Sequence, residues 1–149
     1  FLFGEKKGFY PDGIFRLIGG GVEESDNSLV EAPKAEVKEE TGFETKISDL
    51  IELGMVDIRA TDEEQKKYHH MIHLFFLKIP ENEKLKANDD LTNIIELNLE
   101  QTKKLVEKYK NIPKNSRGME GGLEFSWYDY AQVYGPVHQF VLEKIKSLN

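Results

Sequence analysis

A single α/β domain is what this chain of 149 residues predicts, and three features carry the prediction. Two β-rich stretches, about Ile47 to Arg59 and Tyr68 to Ile79, flank a charged loop from Thr61 to Lys67 and read as a long hairpin. Between the glycine run Gly19 to Gly21 and Gly42 lies a stretch of helical character. Near the carboxyl end Val137, Phe140, Val141, Ile145 and Leu148 fall on one face of a helix. With 39% of residues hydrophobic, the length suits one core over 1–149 and leaves little room for a second.

The remaining elements follow from local signals. Phe1 to Phe3 and Ile14 to Ile18 read as short strands, separated by a polar loop through Gly8, Pro11, Asp12 and Gly13. The chain opens within the first of these, so that strand is expected to be incomplete at its amino end. A polar turn around Glu24 to Ser28 leads into the helical stretch, which runs to about Thr41 and stops at Gly42, a residue suited to a left-handed terminus. Asn98 with Gln101 resembles a capping pair, so Leu99 to Tyr109 reads as a surface helix. Asn111 to Gly122 reads as a loop. The last helix is expected to start at Pro136, because a first turn does not need the missing amide.

Charge and composition narrow the function. Lys and Arg number 20 against 27 acids, a net charge of −7, so no basic surface is available to hold duplex nucleic acid. An acidic protein acting on an anionic phosphate needs cations to cancel the repulsion, and bound metal ions are the usual means. The absence of cysteine excludes disulfides, thiolate zinc sites and cysteine nucleophiles, and fits an expected cytoplasmic location. No apolar run approaches the roughly 20 residues that span a bilayer.

Glu36, Glu39 and Glu40 stand at i, i+3 and i+4, so a helix projects all three carboxylates from one face within a turn. They repel one another unless a hard cation such as magnesium or manganese takes their oxygens. A bare E-x-x-E-E is ordinarily a solvated acidic face, and the residues around it decide the matter. From Arg16 to Phe43 the chain reads RLIGGGVEESDNSLVEAPKAEVKEETGF, which resembles the Nudix box, G-x5-E-x7-R-E-U-x-E-E-x-G-U with U apolar. Glu36, Val37, Glu39, Glu40, Gly42 and Phe43 fill the second half without a gap.

The first half departs from the pattern. Gly20-x5 leads to Asp26 in place of glutamate, with eight residues instead of seven before the next position, whereas Gly21-x5 leads to Asn27. The first register keeps a carboxylate, and an extra loop residue costs little. Ala35 replaces the box arginine; Lys34 and Lys38 point about 100° and 60° away from its direction on a helix. Pro33 falls where the helix should be under way, so the helix either starts near Ala32 or bends.

The resemblance implies an α/β/α sandwich with a mixed β-sheet and a metal-dependent hydrolase. Its substrate would be a small nucleotide-like diphosphate, either a nucleoside diphosphate derivative or a nucleoside triphosphate. It maps the metal ligands to Glu36, Glu39, Glu40 and the carbonyl of Gly19, with the glutamates as the catalytic group and Mg2+ or Mn2+ as the cofactor. The proton acceptor is either a box glutamate or a loop carboxylate such as Asp89, Asp90 or Glu120. The alternative is a catalytically weakened nucleotide-binding or interaction module of the same fold, motivated by Ala35 and Pro33. An isoprenoid diphosphate isomerase of this fold would want a reactive cysteine, which the chain lacks.

Three other groups have a functional and a plain reading. His69 and His73 share a strand face and, with His70, suggest either zinc or ordinary strand residues near a cleft. Phe125, Trp127, Tyr128, Tyr130 and Tyr134 read as core packing under the last helix or as a platform for a base. Ser116 to Gly122, with Arg117, reads as a mobile connection or as a lid over phosphates.

Overall fold

The computed structural model describes residues 1–6, 9–22, 28–61 and 65–148, the side chain of Leu148 excepted. Asp26 and Asn27, the two possible positions of the first box carboxylate, lie outside the described residues.

Strands β1 (Leu2–Glu5), β2 (Leu50–Thr61), β3 (Lys67–Leu77), β4 (Asn93–Glu96), β5 (Arg117–Glu120) and β6 (Leu123–Ser126) alternate with helices α1 (Glu31–Thr41), α2 (Leu99–Lys110) and α3 (Trp127–Leu148). The order is that of an α/β fold. In place of the expected mixed sheet, the described strands pair as three antiparallel two-stranded sheets, β1 with β4, β2 with β3 and β5 with β6. Ile14 to Ile18 supplies only a bridge from Arg16 to Gly4, not a strand. Its neighbours are drawn elsewhere: Ile14 is buried in the core, and the Phe15 carbonyl accepts from the Tyr109 hydroxyl at 2.9 Å.

The long hairpin forms as expected, in register from Leu50 opposite Leu77 to Thr61 opposite Lys67, with an irregularity between Glu52 and Gly54. Asn98 and Gln101 cap α2 reciprocally, each side chain 2.9 Å from the other's amide. The segment read as a loop ends instead in the β5–β6 hairpin. Its turn is Gly121-Gly122 at φ 56° and 82°, the left-handed pair that a two-residue connection requires.

Helix α3 starts at Trp127, not at Pro136, which sits in its interior. Ser126 Oγ accepts from the Asp129 amide at 3.2 Å, an N-terminal cap ten residues upstream of the expected start at Pro136. An interior proline costs about 3 kcal/mol, and burial on both sides of it outweighs that cost. Before it, Trp127 and Ala131 join Phe3, Leu105 and Tyr109 in one apolar cluster. Beyond it, Val137, Val141 and Ile145 join Leu74 and the inward residues of the β2–β3 hairpin in another. Among the described residues no helix is long and apolar enough to cross a membrane.

His138 lies on the same helix at 3% exposure. Its ring stacks on Tyr109 with centroids 4.4 Å apart. Its Nδ1 stands 2.8 Å from the Tyr134 carbonyl, which can only accept, so Nδ1 carries the proton. Burial pushes its pKa down to about 4.

Two predictions follow from this helix. Pro136→Ala restores an interior hydrogen bond and should raise stability by as much as about 3 kcal/mol in urea unfolding, whereas a first-turn proline would yield almost nothing. The depressed pKa of His138 means that its contribution is complete above the unfolded value of 6.5 and is lost as pH falls toward about 4. Because Glu40 titrates in the opposite sense over the same range, the effect is read as a difference: in urea unfolding at stepped pH the unmodified protein should lose about 3 kcal/mol more than His138→Phe as pH falls across that window.

Candidate functional site

Helix α1 buries little apolar surface; its buried residues are Ala32, Glu40 and Thr41. It begins at Glu31, which places Pro33 in the first turn, where amides lack helical partners in any case. The helix therefore starts within one residue of the expected Ala32, and Pro33 calls for no bend. It ends at Gly42 in the left-handed conformation, φ 71°, whose amide donates to the Lys38 carbonyl at 2.9 Å.

Glu40 turns its carboxylate inward at 1% exposure. Oε1 meets Nη2 of Arg16, and Oε2 accepts from the Gly19 amide at 2.9 Å. Arg16 is itself fixed by β1, through two backbone bonds with Gly4 of 2.8 and 3.0 Å. One turn earlier on α1, the Glu36 carboxylate lies against Gly20, where a Cβ would come within 2.1 Å of Oε1. Gly19 adopts φ 145°, a conformation that side chains rarely allow. Gly20 is thus required by the carboxylate it meets, and Gly19 by its own backbone conformation, since a Cβ there would meet nothing within 4 Å. Glu39 is exposed on the same helix.

A loop completes the acidic group. The Lys86 amide bonds to the Thr41 carbonyl and the Asn88 amide to the Glu40 carbonyl, each at 3.0 Å, which brings Asp89 and Asp90 to the end of α1. Asp90 is engaged at 2.9 Å by both Lys6 and Arg16. Burial raises the pKa of Glu36, and repulsion from Glu39, Asp89 and Asp90 adds to it against the pull of Arg16. Burial likewise pushes Glu40 up to about 7, against Arg16 and the Gly19 amide, which favour its ionised form.

This oxygen-rich, mutually repelling set suits a hard divalent cation in its chemistry. In arrangement it does so only in part. Glu36 with Glu39 can take an ion, whereas both oxygens of Glu40 are committed to Arg16 and Gly19. Among the described residues no three carboxylates or histidines converge as a metal-binding group.

Arg16 also faces a cavity of about 240 Å³. Lys6, Arg16, Asp90 and Glu120 form its polar side. Phe9, Tyr10, Phe125, Tyr130 and Tyr134 form an aromatic side. The aromatic cluster seen in the sequence therefore divides. Phe125, Tyr130 and Tyr134 reach the cavity, and Trp127 sits at 3% exposure behind them, its ring centroid 4.6 Å from that of Phe125. Tyr128 lies elsewhere, under Lys114.

Lys6, Phe9, Tyr10 and Arg16 are site residues that the sequence reading did not assign. The available signal was Arg16 itself, a lone charge within the apolar run Ile14 to Ile18, which needs a partner if buried.

The remaining candidates lie off the site. His69 Nε2 is 2.8 Å from Asp57 on the outer face of the hairpin, and its strand partner there is Arg59. Arg117 donates to the carbonyls of Lys114 and Ser116, away from the cavity. Only Glu120 of that hairpin contributes to the polar side, 3.9 Å from Lys6.

A comparison with family models gives a match to the NUDIX domain over residues 1–119, a family of hydrolases of nucleoside-diphosphate-linked compounds. Neither the curated proteins nor the solved structures gave a match. The matched stretch contains α1, both glycines, Arg16 and the loop with Asp89 and Asp90, and on that match the chain belongs to the Nudix family.

Proposed function

We propose that this protein hydrolyses the diphosphate linkage of a nucleotide-like substrate with Mg2+ or Mn2+, using Glu36, Glu39 and Glu40 and the Gly19 carbonyl as the metal-binding and catalytic group. The observation that carries the proposal is the contact of Glu36 with Gly20 and of Glu40 with Gly19, directly beside a cavity with one wall of paired charges, Lys6 and Arg16 with Asp90 and Glu120, and one of aromatic rings. When bound, the metal would neutralise the diphosphate and activate a water for in-line attack.

The chain's own residues supply the rest. Lys6 and Arg16 offset phosphate charge in a protein of net −7. Phe9, Phe125 and Tyr130 line the cavity with aromatic surface suited to a base, Lys6 Nζ standing 4.5 Å over the Phe9 ring. Asp89 is the loop carboxylate best placed to accept a proton from water, because Asp90 is tied to Lys6 and Arg16. The aromatic residues at 125–134 lie beyond the matched stretch, so any base preference rests on residues that the family match does not cover.

The test is a screen of nucleoside diphosphate derivatives and nucleoside triphosphates with magnesium or manganese, reading phosphate or pyrophosphate release. Glu36→Gln should lower kcat at least about 100-fold, equivalent to roughly 2.7 kcal/mol, with the fold intact. If the unmodified protein releases nothing and Ala35→Arg awakens nothing, yet nucleotides bind, the weakened binding module replaces the hydrolase.

Metal binding is measurable separately. At a hundredfold excess over its dissociation constant, Mn2+ should stabilise the folded chain by roughly 2.7 kcal/mol, read as a rise in Tm. No shift with any divalent ion would remove the metal from the reading.

A further inference from the structure

We propose that Arg16 is a positioning residue that controls access to Glu40: without ligand its guanidinium holds that carboxylate against the glycine loop, and a phosphate in the cavity draws it away and opens Glu40 to a divalent cation. This rests on the reading of the box as a metal-dependent site, and its test separates the two.

Four observations support it. Ala35 leaves the box helix without its arginine. Lys38, the helical cation closest in direction to the missing arginine, is paired at 2.8 Å with Glu44. The cation that reaches Glu40 therefore comes from outside the helix, at Arg16. With Oε1 on Arg16, Oε2 on the Gly19 amide and 1% exposure, the Glu40 carboxylate offers no open oxygen, so a metal ion and the guanidinium compete for it.

The guanidinium is not fully satisfied where it lies. Its hydrogen bonds to described residues all leave from Nη2, to Glu40 and Asp90. Its Nε is buried and has no partner among the described residues. An arginine with unmet donors, at the wall of a cavity, has a planar fork suited to two phosphate oxygens. Moving onto phosphate would satisfy those donors and uncover Glu40 in one step. Ligand and metal would then assist one another, and the coupling must be reciprocal.

The test uses the whole chain and follows free Mn2+ by electron paramagnetic resonance. Arg16→Gln keeps a hydrogen-bond donor but gives up the charge and the fork. It should bind Mn2+ roughly tenfold more tightly than the unmodified protein in the absence of nucleotide. Lys38→Gln, which removes a cation from the box helix that is paired with Glu44 and lines no part of the cavity, should leave the affinity nearly unchanged.

Adenosine monophosphate, a weak chelator, should tighten Mn2+ binding in the unmodified protein more than in Arg16→Gln. Equal or weaker Mn2+ binding by Arg16→Gln overturns the proposal, as does an equal gain in Lys38→Gln, which would be a general charge effect. If Arg16→Gln loses its cooperative melt, Arg16→Lys takes its place, and full retention of the monophosphate effect there overturns the proposal. Absence of saturable Mn2+ binding in every variant overturns the metal site itself, and this inference with it.

Discussion

A carboxylate in the interior persists only where charge and hydrogen bonds answer it, and the arrangement around α1 follows from how Glu40 is answered. Arg16 holds one oxygen and the Gly19 amide the other. These two groups, three residues apart, tie the box helix to the glycine loop. Glu36, one turn back, is thereby set onto Gly20. The carbonyls of Glu40 and Thr41, at the same end, receive the loop that carries Asp89 and Asp90. Loss of one partner from such a buried pair typically costs about 3–5 kcal/mol, so the same contact supports the fold and orients the site.

The far wall of the cavity depends on a different constraint. Helix α3 belongs to two apolar clusters at once, the one with Phe3 and Tyr109 and the one with Leu74 on the hairpin. Its first turns, capped by Ser126, carry Tyr130 and Tyr134 to the cavity, and Trp127 behind them fixes the ring of Phe125. A helix beginning at Pro136 would have left these residues on a loop. The proline is tolerated because burial on both sides outweighs one missing hydrogen bond.

What the sequence made legible was what local chemistry decides. Gly42 ends α1, Asn98 and Gln101 cap α2, and the apolar residues of β2 and β3 alternate as strands should. The same local reasoning misplaced α3, because Pro136 satisfies a first-turn rule and the cap at Ser126 and Asp129 is a weaker signal. Gly121-Gly122 marked a tight hairpin turn that was read only as loop composition. The glutamates of α1 were singled out by the box pattern around them and not by their spacing alone. Arg16 was not, because its partners lie 24 and 74 residues along the chain, where no periodicity connects them. The cavity was out of reach for the same reason: its walls come from both ends of the chain.

Where the cation sits changes what it can do. An arginine at position 35 would ride on the helix with the glutamates and move as they move. Arg16 is anchored to β1 through Gly4, and β1 is paired to β4. The position of Glu40 relative to the glycine loop therefore depends on the β1–β4 sheet as well as on α1. Asp90, three residues before β4, takes the same guanidinium at 2.9 Å. A displacement of Arg16 would be felt at the helix, at the loop carboxylates and at the cavity together, because one guanidinium touches all three. With Ala35 on the helix, the cation that answers Glu40 stands at a cavity wall instead of beside the glutamates on α1.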